Sequence, residues 1–130
     1  MSDSADPRAW AILAEEDYQL ARLSLRQRRR LTYGACFHAQ QCVEKYLKAL
    51  LTQTQTPFPK THDLISLFRA CEQAGVVLIV DEDGLAEMSF YAVRVRYPGE
   101  YPSSNDAHDA IKTAQAVRKY ARQLLGLKSR

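Results

Sequence analysis

Apolar residues recur along this chain mostly at steps of three and four, the spacing that puts side chains on one face of a helix. Trp10, Leu13, Ala14, Ala21 and Leu25 form the first such stripe, behind Asp6-Pro7, where a carboxylate can cap free amides and proline suits the first helical position. The stripe predicts a helix running to about Gln27. Asp17 falls on the same stripe, where a carboxylate is costly unless a donor or a cation from another helix meets it. It is therefore expected to be paired or to sit at the edge. Ala35 to Gln53 contains neither Gly nor Pro, and Cys36, Ala39, Gln40, Val43, Leu47 and Leu50 keep helical spacing, which predicts a second helix.

Thr54-Gln55-Thr56-Pro57-Phe58-Pro59 ends that helix, since each proline removes a donor and biases its predecessor away from helix. Thr61 or Asp63 can cap a third helix with Leu64, Leu67, Phe68 and Cys71 inward and Gly75 as its stop. Val76-Val77-Leu78-Ile79-Val80 reads locally as a strand, but nothing else in the chain alternates with period two. A lone strand has no partner, so an extended, buried connection is expected there, leading into a fourth helix from about Asp83 to Val95. Pro98, Gly99 and Pro102 close that helix. Ser103-Ser104-Asn105-Asp106 then caps a long fifth helix with Ala107, Ala110, Ile111, Ala114, Val117, Ala121 and Leu124 on one face. The expected fold is all-α, an up-and-down helical bundle of about five helices. It forms a single domain over residues 1–130 with its core at about 10–125.

The 130 residues are 46% hydrophobic and 25% charged, enough for one real core and too few for a two-domain enzyme. The longest apolar run is far shorter than a membrane span and the N-terminus lacks the order of a signal peptide, so a cytoplasmic protein without membrane contact is expected. A formal net charge of +3 permits anionic partners without demanding them. Cys36, Cys42 and Cys71 form no C-x-x-C pair, and an odd number suits reduced, buried thiols.

Several clusters invite a chemical reading. Arg22, Arg26, Arg28, Arg29 and Arg30 surround the end of the first helix and could meet phosphate or an acidic partner, although cations there also complement the helix dipole. Asp81-Glu82-Asp83-Gly84 fails as a calcium loop, because aligning Gly84 with the loop glycine puts Ile79 and Phe90 at ligand positions. His38, His62 and His108 lie on separate elements without i, i+4 pairing, so no metal site is expected. Gln41, Glu44, Lys45 and Lys48 form a polar strip on the second helix, with Glu44 and Lys48 an i, i+4 pair. That helix is apolar enough elsewhere to be central, so the strip is expected to be partly enclosed and to line a groove.

The run Phe37-His38-Ala39-Gln40-Gln41-Cys42-Val43-Glu44-Lys45-Tyr46-Leu47-Lys48-Ala49-Leu50-Leu51, then Thr61-His62-Asp63-Leu64 and Arg96-Tyr97-Pro98, resembles the HEPN domain family, as does the opening Trp10 to Leu20 with Asp17. The resemblance extends from about Trp10 to Leu125. It implies a helical, usually dimeric prokaryotic protein of the kind paired with a minimal nucleotidyltransferase in toxin–antitoxin fashion. Many members are metal-independent ribonucleases with an arginine followed, after four to six positions, by a histidine. Here Arg96 and His108 are separated by eleven residues and Arg30 and His38 by seven, so that spacing is missing.

Three functions follow from these features. One is a non-catalytic or weakly active HEPN module acting with a nucleotidyltransferase partner. Another is a metal-independent ribonuclease using Arg96 and His108, and a third is direct nucleotide binding. Gln41, Glu44, Lys45, Lys48, His62, Arg96 and Tyr97 are the candidate ligand-binding residues, with no metal and no cofactor. Arg96 is expected to end the fourth helix and to reach a carboxylate such as Asp17 or Glu44. A homodimer through the second or fifth helix is expected from the apolar surface that so small a bundle leaves uncovered.

Overall fold

A computed structural model describes residues 6–94, 99 and 101–128, and for residues 90–94 the backbone only. It contains five helices: α1 (Pro7–Arg26), α2 (Thr32–Gln53), α3 (Leu64–Gln73), α4 (Glu82–Arg94) and α5 (Ser104–Leu124). No strand occurs among the described residues. Val95, Arg96, Tyr97 and Pro98 lie outside them.

The helix boundaries follow local chemistry. The Asp6 carboxylate accepts from the Arg8 amide at 2.9 Å, and Pro7 opens α1. Asp63 caps α3 by accepting from the Ile65 amide, and Gly75, at φ +84°, turns the chain out after it. Ser103 and Asp106 form a reciprocal capping box at the start of α5. Only α2 begins without a side-chain cap, and it starts one turn before the expected Ala35. There Gly34 lets α1 come close, since a Cβ at that position would lie 3.2 Å from the Ser24 hydroxyl.

α2 packs against all four other helices. Its buried residues run from Ala35 to Leu51, and from His38 to Thr52 none is exposed. α1 faces it with Ala11, Ala14, Asp17, Tyr18 and Ala21, three of them alanines that permit close approach. α5 contributes Ala107, Ala110, Ala114, Val117, Arg118 and Ala121. Two expected core residues point outward instead: Leu13 is 46% exposed and Leu124 45%. Because alanines line the contact, the buried stripe on α1 passes through Ala14 and Ala21, one residue after Leu13 and Leu20, which turns Leu13 to solvent. Residues 76–80 alternate as an extended chain does but are only half buried, with Val76 and Leu78 in and Val77 and Ile79 out.

The three longest helices are pinned by one polar cluster. Arg118 on α5 donates from Nε and Nη2 to the two oxygens of Glu15 on α1, at 2.7 and 3.0 Å. The Tyr46 hydroxyl on α2 donates to the same carboxylate at 2.8 Å, while Arg122 donates to that hydroxyl at 3.1 Å. Burial pushes the Glu15 carboxyl up, but the hydrogen bonds from Arg118, Gln19 and Tyr46 and the Arg118 charge outweigh it, leaving it below its ordinary value. A carboxyl whose folded pKa is lowered adds stability above the unfolded value of about 4.3, lost as pH falls through the folded one. Replacing Glu15→Gln should therefore cost about 1.5–3 kcal/mol at pH 7, the worth of hydrogen bonds to a charged group. Chemical denaturation should show that gap closing as the pH drops below about 4.

Candidate functional site

The polar strip on α2 is partly enclosed, with Glu44 and Lys48 buried and Gln41 and Lys45 half-buried, and groups from other elements join its charges. Asp17, reaching over from α1, meets the Lys45 ammonium at 2.5 Å and Nδ1 of His38 at 2.8 Å. It is buried and paired, as a carboxylate on an apolar stripe must be. Next to Lys45 in sequence, Glu44 meets the Lys48 ammonium at 3.0 Å and Nδ1 of His62 at 2.9 Å. His62 comes from the connection ahead of α3. Gln40 donates to Glu44 and to the His62 carbonyl, both at 3.3 Å, and Gln41 donates to the Gln40 oxygen at 3.0 Å. Lys48 is also covered by aromatic rings, its nitrogen 5.6 Å from the centre of Trp10 and 5.9 Å from that of Phe58.

The structure thus brings together Gln41, Glu44, Lys45, Lys48 and His62 and adds Asp17, His38 and Gln40. Both imidazoles use Nδ1 on a carboxylate, and Nε2 makes no hydrogen bond among the described residues. His108 stands apart: it is exposed on α5 and makes no hydrogen bond or ion pair among the described residues. Arg96 and Tyr97 lie outside the described residues. The two carboxylates expected for Arg96 are already held by Lys45 with His38 and by Lys48 with His62 and Gln40.

Glu15, Tyr46, Arg118 and Arg122 were not singled out by sequence reasoning. Arg118 nevertheless carried a signal, since it lies four residues after Ala114 and three before Ala121, a charge on the apolar face of α5. The thiols carry no nucleophilic chemistry. Burial pushes Cys36 and Cys71 up to about 12 and Cys42 upward as well, so all three stay protonated near neutral pH.

Two further surfaces bear on function. Arg26, Arg28, Arg29 and Arg30 are exposed, and Arg28 and Arg29 make no ion pair among the described residues. An open cavity of about 510 Å³ beside them is lined by residues 29–34 and Tyr101. Among the described residues no group of three or more His, Cys, Asp or Glu could hold a metal ion, and no helix is long and apolar enough to cross a membrane.

The two acids and their histidines differ in what they hold up. Glu44→Ala strands a buried ammonium and should cost about 3–5 kcal/mol. His62, whose side chain is 80% exposed, should cost less than about 1 kcal/mol as His62→Ala. Adding Lys48→Met to Glu44→Ala removes the stranded charge and should recover much of the loss, and urea denaturation of the three variants tests the set.

The family model described as HEPN domain matches residues 8–124 of the 130-residue chain. Comparison with curated proteins and with solved structures gives no match.

Proposed function

This chain belongs to the HEPN domain family, and from that premise we propose that it is a non-catalytic or weakly active HEPN module acting with a nucleotidyltransferase in a toxin–antitoxin-like pair. One observation carries the reading. Cleaving RNA without metal needs an imidazole and an available cation aimed at one phosphate. In the α2 seam both ammoniums, Lys45 and Lys48, are instead neutralised by the buried carboxylates Asp17 and Glu44. His108 has no orienting partner among the described residues, and no arginine precedes a histidine at the spacing of the family's ribonucleases.

A second reading, direct binding of a nucleotide, is favoured by the cavity beside the α1–α2 turn. Arg29 and Arg30 supply charge there and Tyr33 and Tyr101 supply rings. The expected result is a neighbouring nucleotidyltransferase reading frame whose product co-purifies with this chain, together with RNA left intact in the presence of a chelator. Metal-free cleavage abolished by His108→Ala or by His38→Ala would overturn the proposal in favour of a ribonuclease. Thermal stabilisation by added nucleotide, lost in Arg29→Ala and Arg30→Ala, selects the second reading.

We further propose that the module is a homodimer through α1. Among the described residues α2 exposes only Tyr33 and Phe37 as large apolar side chains and α5 only Leu124, whereas Ile12, Leu13, Leu20 and Leu23 are exposed within about 100° of one another around α1. A two-fold axis near the middle of α1 would cover both copies of this stripe antiparallel. Sedimentation at micromolar concentration should give twice 14.8 kDa for the native chain and 14.8 kDa for Leu20→Glu. A monomeric native chain would refute it.

A further inference from the structure

Gly75 turns the chain out of α3 at φ +84°, and the next five residues belong to neither helix nor strand. Val76 and Leu78 are buried and Val80 is half-buried, whereas Val77 and Ile79 are 73% and 72% exposed. Those are the two highest values for large hydrophobic side chains among the described residues. The alternation is the pleat of a strand with one face packed and the other bare. No neighbouring strand completes it: the amides and carbonyls of residues 77–80 take no hydrogen bond among the described residues.

In an extended chain the N–H and C=O of alternate residues point to the same side, so Val77 and Ile79 offer a hydrogen-bonding edge together with an apolar surface. The packed side chains of Val76 and Leu78 hold that edge in place, so a partner strand need not order it. Just beyond it the chain becomes acidic. An open cavity of about 460 Å³ is lined by Val80 and by four carboxylates, Asp81, Asp83, Glu87 and Asp109, against the single ammonium of Lys112.

We propose that residues 76–80 are a docking edge onto which an extended segment of a partner protein adds as a β-strand, its apolar residues covering Val77 and Ile79 and its lysines or arginines meeting the adjacent carboxylates. The proposal is independent of the nucleotidyltransferase reading. A second copy of this chain is a poorer occupant. Residues 75–83 contain no lysine or arginine, so self-pairing of the edge supplies no cation for the acidic cavity.

The test uses the full chain, labelled with nitrogen-15, and an acetylated hexapeptide of alternating valine and lysine. Saturable shifts of the amides at 77–80 and at Asp81, Asp83 and Glu87 are expected, weakening with added salt. Exchange of the Val77 and Ile79 amides should slow by about tenfold or more. Ile79→Asp and Val77→Glu, both on the bare face, should abolish the response while leaving the remaining spectrum in place. An unchanged segment 77–80 at about 1 mM peptide, or an equal response to a valine–glutamate hexapeptide, would overturn the proposal. So would protection that rises with protein concentration and needs no peptide, which would assign the edge to a second copy.

Discussion

The middle of α2 carries no fully exposed residue, and that constraint organises the rest of the molecule. Between His38 and Thr52 no residue is exposed, yet the stretch carries Gln40, Gln41, Glu44, Lys45, Tyr46 and Lys48. An unpaired polar group there would cost on the order of 1–3 kcal/mol, and an unpaired charge more. Every one of them has a partner, and the partners come from outside the helix as well as within it: Asp17 and Glu15 from α1, His62 from the connection before α3, Arg122 from α5. The helices surrounding α2 therefore supply polar groups at defined heights as well as apolar cover.

This arrangement moves the available chemistry to the periphery. Charges that meet each other inside the seam are poor recruits for phosphate, because a ligand would first have to break a partly buried pair. What is left facing solvent is uncommitted: Arg28 and Arg29 at the α1–α2 turn, the leucine stripe of α1, and the bare face of residues 76–80. Each is a surface suited to holding another molecule, and none combines an oriented imidazole with a free guanidinium among the described residues. A module built this way has more means of association than of catalysis.

The bundle was legible in the sequence because helical periodicity and caps are local properties. Asp63, Gly75 and the Ser103–Asp106 box lie within a few residues of the amides and carbonyls they serve. Asp17 was legible too, as a charge on an apolar stripe. The identity of its partners was not, since Lys45 lies 28 residues away. Glu15 and Arg118, separated by 103 residues, are harder still, because Glu15 sits at the flank of its helix and looks like an ordinary surface acid. Leu13 misled for another reason: hydrophobicity ranks leucine above alanine, but close helix contact selects the smaller side chain. The lone apolar run at 76–80 was recognised as extended, yet its burial was overestimated because a strand without a covering layer buries only one of its faces.

The contrast between smooth and polar contacts explains why α1 and α2 adopt one register. Ala11, Ala14 and Ala21 are small and, apart from Tyr18, leave the buried face of α1 with few apolar features that would resist a slip of one helical turn, about 5.4 Å. The polar groups do resist it. A one-turn slip would separate Asp17 from Lys45 and His38. The same slip would take Glu15 from the Tyr46 hydroxyl and from Arg118, so errors in the α1–α2 contact propagate to α5. Small residues let the helices approach and buried pairs penalise every alignment but one, which is the best-attested way for internal charge to earn its cost. The seam that resembles a reaction centre is on this argument chiefly a registration device for the fold.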